Sequence, residues 1–195
     1  MENLKNREIT LETERLVIKT LLPGGVTSLY VQGMNDPDVY KYLLISNKGK
    51  QKAATIKAYV SENFNNPHAV LFGIYTKYEN ELIGTIRLSG ISRFHYCCDI
   101  GTCIFSKSRW GKGFAREAVK EVVKFAFFTL GLHYIEAGVF SENISSINLF
   151  RNSGFQVRNT YTDKLRLGDT FAEVTILYSI NSKFDYSKLN FSRKS

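Results

Sequence analysis

Cysteine is scarce in this sequence, and what there is sits together: Cys97, Cys98 and Cys103 fall within seven positions. They form no Cys-x-x-Cys pair and have no matching histidine partners, so neither a zinc site nor a disulfide framework is indicated. His68, His95 and His133 are scattered without metal-ligand spacing, and no metal is expected. Long apolar runs are also missing; none approaches the roughly 18–20 residues that cross a bilayer. Met1 to Thr10 is polar and charged, unlike the apolar core of a signal peptide. The expectation is therefore a cytoplasmic protein with no membrane partner. Acidic residues are outnumbered, 18 Asp and Glu against 26 Lys and Arg, for a net charge of +8 and a pI of about 9.3. Such a balance favours anionic partners, among them nucleic acid or a ligand rich in phosphates.

What is present suits one domain. A chain of 195 residues with 44% hydrophobic and 23% charged residues can bury a real core, but not two comfortable ones. Alternation marks a strand at 15–21, and short helical stretches follow at 27–34 and 37–44, the second with Asp36 as N-cap and Pro37 at the first helical position. A helix over 51–64 precedes strands at 69–76, 81–91 and 96–105. A wide apolar stripe (Ala118, Val119, Val122, Val123, Ala126, Phe127, Leu130) then predicts a long helix over 115–130, closed by Gly131. A strand at 134–140, a helix at 144–152 and strands at 155–160 and 170–180 complete the series. The expected fold is α+β, a mixed, mostly antiparallel sheet of about seven strands with helices on both faces. Its fourth and fifth strands are parallel, joined by a right-handed crossover helix. Residues 1–181 form the expected domain, and 182–195 a polar, basic tail.

The strongest local feature is the stretch from Ser108 to Arg116 (SRWGKGFAR), between a strand and the long helix. Gly111 and Gly113, with Ala115 just after them, let the backbone curl close to a ligand. The helix that follows turns its first unpaired N–H groups and its positive dipole end to the same place, making an anion cradle. Lys112 and Arg116 add formal charge, and a pyrophosphate would suit the turn. It is not a dinucleotide fingerprint, because Arg116 stands where the third glycine belongs. Nor is it a P-loop, because the lysine precedes Gly113.

This segment resembles the acyl-CoA pyrophosphate loop of the GNAT superfamily of acetyltransferases. Trp110, Gly111, Lys112, Gly113, Phe114 and Ala115 fill the pattern in the form of the ribosomal-protein N-terminal (Rim-type) branch. The resemblance extends in order along the chain: Glu12–Leu16, Asp36–Val39, Ile83–Ile86, Asp99–Gly101, then Asn143–Ser146 with Leu149 and Gly154-Phe155. It implies a GNAT-like fold, an acetyl-CoA donor and transfer of acetyl to a primary amine. It implies that the backbone of Cys103, Ile104 and Phe105 meets the pantetheine arm at a splay between the parallel strands. Asn143 stands where the family's asparagine bonds that arm, although an asparagine there also serves as a helix N-cap.

The reaction needs a neutral amine, stabilisation of developing charge on the carbonyl oxygen and a proton for the leaving thiolate. The resemblance assigns the base to Asp99 and, because Phe150 replaces the superfamily's usual tyrosine, the proton donor to Ser146. Backbone N–H groups near Phe105 would hold the oxyanion. A lysine side chain costs roughly 4–5 kcal/mol to deprotonate at pH 7, and a terminal α-amine only about 1. One modest base therefore suffices for a protein or peptide N-terminus, including a ribosomal one. A polyamine, aminoglycoside or other small amine is the rival acceptor; a third reading is a CoA-, RNA- or ribosome-binding module without chemistry. Exposed aromatic residues on the opening helices and final strands would suit a homodimer face.

Overall fold

The computed structural model describes residues 4–43, 49–167 and 169–189. Strand β1 (Thr10–Glu12) is too short for its alternation to register in the sequence, and antiparallel pairing with β2 (Leu16–Thr20) holds it. Along β2, Leu16 and Ile18 are fully buried. Antiparallel ladders then run from β2 to β3 (Val70–Thr76), to β4 (Leu82–Ser92) and to β5 (Cys97–Ile104). Strand β6 (Tyr134–Phe140) lies parallel to β5, and the hairpin of β7 (Gln156–Leu167) and β8 (Thr170–Ile180) closes the series. The order is β1-β2-β3-β4-β5-β6-β8-β7, an eight-stranded mixed sheet. The parallel pair is thus the fifth and sixth strands, shifted by one because β1 precedes them.

Helices cover both faces. On one, α1 (Ser28–Gly33), α2 (Pro37–Tyr40) and α3 (Ala53–Phe64) close over a core that includes Tyr30, Val60, Leu71, Leu82 and Phe105. Thr27 and Asp36 cap α1 and α2, each accepting a backbone N–H with its side chain. The expected second helix is shorter than read, leaving helical pairing at Lys41; Leu44 lies outside the described residues. On the other face, α4 (Phe114–Lys124) and α5 (Ile144–Arg151) pack on the larger core. Ala118, Val119 and Val122 are fully buried there. Each valine contributes about 1.5–3 kcal/mol relative to an exposed one. The stripe read as one helix to Leu130 widens at its end into a π-helical turn, Phe125–Thr129.

Two features position the site. Strands β5 and β6 pair only at Cys97↔Tyr134, Cys98↔Ile135 and Asp99↔Glu136; beyond that pair they separate, while β5 continues to Ile104 and β6 to Phe140. In a parallel pair, the loops leaving both strands lie at the same end of the sheet, which brings the segments after β5 and β6 to the mouth of this opening. At the opposite end, Asn181 and Phe184 are both buried, one on each side of the boundary expected between the domain and its tail. Asn181 donates to the carbonyls of Leu132 and Phe127 (3.2 and 3.4 Å), and Phe184 packs on Tyr96 and His133.

Candidate active site

The turn after β5 is held open by its backbone. Gly111 (φ +70°) and Gly113 (φ +81°) both take the left-handed conformation, and a Cβ built on Gly111 would meet nothing within 4 Å. Gly113 is the N-cap of α4 and, having no side chain, leaves the first N–H groups of that helix uncapped. Exposed Lys112 makes no side-chain contact among the described residues, and Arg116 commits only its Nε, to the Asn152 carbonyl (3.1 Å). The neighbouring cations are already matched: Lys107 pairs with Asp36 and Asp38, and Arg109 with Glu79 and Glu81. Free positive charge is thus left where an anion would enter. This fits a pyrophosphate.

Three residues that the motif did not single out fix the cradle. Glu117, in the first turn of α4, accepts from the Thr13 hydroxyl, the Arg15 backbone N–H (3.0 Å) and the Arg15 guanidinium (2.7 Å). Arg15 also donates to the Lys112 carbonyl (3.0 Å), and its guanidinium lies 4.5 Å from the Phe114 ring centroid. Burial pushes the Glu117 carboxyl up, but these donors outweigh it and hold it below the usual carboxylate range. Their only trace in the sequence is Thr13 and Arg15 within the Glu12–Leu16 resemblance.

On β5 the backbone separates residues that the resemblance grouped. The N–H of Phe105 donates to the Ile83 carbonyl (3.1 Å), so it faces β4 and is not free to hold an oxyanion. By alternation Cys103 also faces β4, and a Cβ on Gly84 would stand 2.6 Å from its carbonyl oxygen. Ile104 alone of the three turns its backbone toward the opening. Its carbonyl accepts from the Trp110 indole Nε1 at 2.7 Å, folding the tryptophan back over the strand end. Burial pushes the Cys98 and Cys103 thiols up to about 12, which keeps both protonated and poor nucleophiles.

Asp99 belongs to the last registered pair before the strands part. Cys98 and Ile100 sink into the α4-side core, so Asp99 projects from the opposite face, the one carrying α1–α3. Its carboxyl is raised above the ordinary value by burial and by Glu136, opposed by Arg87 and Lys164. Asp99 still keeps an exposed surface, so solvent screens part of this effect. At the mouth of β6, Asn143 caps α5, its Oδ1 accepting from the Ser146 N–H at 3.1 Å. The Asn143 Nδ2 and the Ser146 hydroxyl remain uncommitted among the described residues. Phe150 is buried edge-on against Phe155, with centroids 5.1 Å apart, and points into the core.

Among the described residues no group of His, Cys, Asp and Glu could hold a metal ion, and no helix is long and apolar enough to cross a membrane. The Acetyltransferase (GNAT) domain family matches residues 15–156. The uncharacterized N-acetyltransferase YoaA of Bacillus subtilis (strain 168) is 30% identical over 146 residues, 75% of this chain and 82% of that protein. The structure of spermidine N-acetyltransferase from Vibrio cholerae in complex with CoA and spermine superposes with a TM-score of 0.77 at 20% identity, covering 88% of this chain and 99% of that one. Ribosomal-protein-S5-alanine acetyltransferase from Vibrio fischeri gives 0.76 at 19% identity, covering 91% and 99%. Both structural likenesses show the shared fold. The chain belongs to the GNAT acetyltransferase family, as an acetyl-CoA-dependent N-acetyltransferase.

Proposed function

We propose that this chain acetylates a primary amine presented singly, the N-terminal α-amine of a protein or peptide, in the manner of the Rim-type branch. The observation that carries this reading is the charge around Asp99. Asp99 and Glu136 stand together where the sheet opens, and Arg87 and Lys164 act on Asp99 with opposite sign. Two carboxylates balanced by two cations suit one ammonium group and repel a chain of them.

In this reading the cradle of Gly111, Lys112, Gly113, Phe114, Ala115 and Arg116 binds the donor's pyrophosphate. The backbone of Ile104 and the Asn143 Nδ2 receive its pantetheine amides, with Cys103 and Phe105 shaping the strand end. Acetyl-CoA supplies the activated thioester. Asp99 accepts the proton that the incoming ammonium must lose, directly or through a water, and Ser146 supplies a proton to the departing sulfur. The cost of neutralising the acceptor is about 1 kcal/mol for an α-amine at pH 7. A modestly raised aspartate can meet that.

A second reading, transfer to a polyamine, is favoured by the likeness to the spermidine enzyme from Vibrio cholerae. Thiol release from acetyl-CoA, measured with N-terminal peptides, lysine peptides and polyamines, separates the two. Turnover with N-terminal peptides is expected. Turnover with polyamines alone would reject the first reading. The same assay with Asp99→Ala is expected to lose most of its rate.

The tail after residue 181, the homodimer face and the cytoplasmic address belong to the same proposal. A basic tail on a peptide-acetylating protein would favour an acidic or ribosomal setting.

A further inference from the structure

Glu136 was not among the residues that the sequence pointed to, yet the sheet places it beside Asp99. Ile135 and Ala137 are fully buried in the α4-side core, so Glu136 projects from the same face as Asp99. The two are register partners on neighbouring parallel strands, at the last pair before the strands part. Neighbouring strands lie about 4.8 Å apart, which leaves their side chains abutting. Glu136 is held from its far side: the Tyr134 hydroxyl donates to Oε2 at 3.2 Å, Arg158 approaches that hydroxyl at 3.4 Å, and the Tyr134 ring stacks on Tyr178. Asp99, by contrast, accepts no hydrogen bond among the described residues.

We propose that Glu136 acts on acetyl transfer through Asp99, as a positioning residue, so that the carboxylate pair and not Asp99 alone meets the incoming ammonium. This rests on the reading of Asp99 as the base. The charge of Glu136 beside it raises the cost of ionising Asp99, so Glu136 bears on the proton that Asp99 takes up. Glu136 is pinned by a donor and Asp99 is not, so a proton arriving at the two carboxylates goes to Asp99. The other groups facing Asp99 are Arg87 on β4, Lys164 on β7, Cys97 on its own strand and Tyr134 on β6. Arg87 is turned partly aside by its 2.6 Å bond to Asn63. An arriving ammonium relieves the repulsion between the carboxylates and hands its proton to the one that is unpinned.

The test is a carbon-13 titration of the aspartate carboxyls in the whole protein, with Asp99 assigned by Asp99→Asn, in wild type and Glu136→Gln. The titration needs no turnover. Glutamine keeps the shape and still accepts from Tyr134, and thermal unfolding confirms that the variant is folded. The Asp99 midpoint is expected to fall by about half a pH unit to one unit in Glu136→Gln. The acid limb of kcat/KM, measured with acetyl-CoA and an alanine-initiated peptide, should move with it. Glu136→Asp keeps the charge and should restore both, and it serves if the glutamine variant does not fold. An unchanged Asp99 midpoint in Glu136→Gln overturns the proposal while leaving Asp99 as base. Full turnover in Asp99→Asn overturns the base assignment, and this proposal with it.

Discussion

Arg15 and Glu117, 102 positions apart in the chain, are joined through a backbone N–H and a guanidinium, and the same arginine reaches the Lys112 carbonyl. The corner before β2 thus grips both the Gly111–Gly113 turn and the helix behind it. Glu117→Ala would strand the Thr13 hydroxyl and the Arg15 donors. Because the pair is partly exposed, the expected loss is about 1–2 kcal/mol, or about 2–8 °C in Tm. The KM for acetyl-CoA should rise more than that for the amine. Glu117 also gives a pH signature. Its folded carboxyl lies below the ordinary range, so its contribution is fully present above about pH 4.3 and fades as pH falls through the depressed value. The stability gap between wild type and Glu117→Gln should therefore close on acidification, in urea unfolding at stepped pH. A gap that widens toward low pH would contradict this account.

Trp110 is the only tryptophan, and its indole sits on the Ile104 carbonyl at the end of β5, which faces the opening. A donor whose amides pair with Ile104 has to displace that indole. Titration with acetyl-CoA should therefore red-shift and weaken the tryptophan emission, saturably. Lys112→Ala should need several-fold more ligand for the same change, since one charge-assisted contact contributes about 1.5–3 kcal/mol at most in a dry site and less here at the surface. Emission that stays constant while acetyl-CoA binds by calorimetry would mean the indole does not move.

Much of this architecture could be read from the chain. Tyr134–Phe140 and Thr170–Ile180 have the predicted bounds, because each is rich in β-branched and aromatic residues and bounded by polar turn residues. Strand β7 runs past Thr160 to Leu167, through Asp163, Lys164 and Arg166, whose polarity gives no strand signal; the ladder with β8 extends it, with register shifts. The Gly111–Gly113 cradle was legible because phosphate binding needs local backbone geometry. Glu136 and the Arg15–Glu117 grip were not, because each depends on strands and helices distant in sequence. The π-helical turn at Phe125–Thr129 has no period of its own and is set by packing against the sheet.

In the proposed reading Asn143 has two functions, which alanine removes together and aspartate separates. Its Oδ1 caps α5 through the Ser146 N–H, and its Nδ2 is uncommitted among the described residues. Asn143→Ala should cost about 1 kcal/mol in stability along with donor affinity. Asn143→Asp keeps the cap and favours the helix dipole, so it should hold its Tm but raise the KM for acetyl-CoA. If the aspartate variant shows unchanged KM, Asn143 is a cap and nothing more.

Phe150 occupies the position where much of the superfamily carries its proton-donating tyrosine, and restoring that residue tests whether the site has merely lost a group. Its side chain is buried at 2% exposure against Phe155, on the core side of α5. A hydroxyl added there enters an apolar environment. Phe150→Tyr should therefore lower stability by about 1–3 kcal/mol and leave kcat no higher than wild type. The comparison that decides is kcat in Phe150→Tyr against Ser146→Ala at the same pH. If the proton donor is Ser146, its alanine variant loses rate at high pH, where the leaving thiolate lacks other proton sources, and Phe150→Tyr does not compensate when the two are combined. A rise in kcat for Phe150→Tyr, or rescue of Ser146→Ala by it, would show that α5 can turn this position toward the mouth of the splay and would remove the basis for assigning the proton to Ser146.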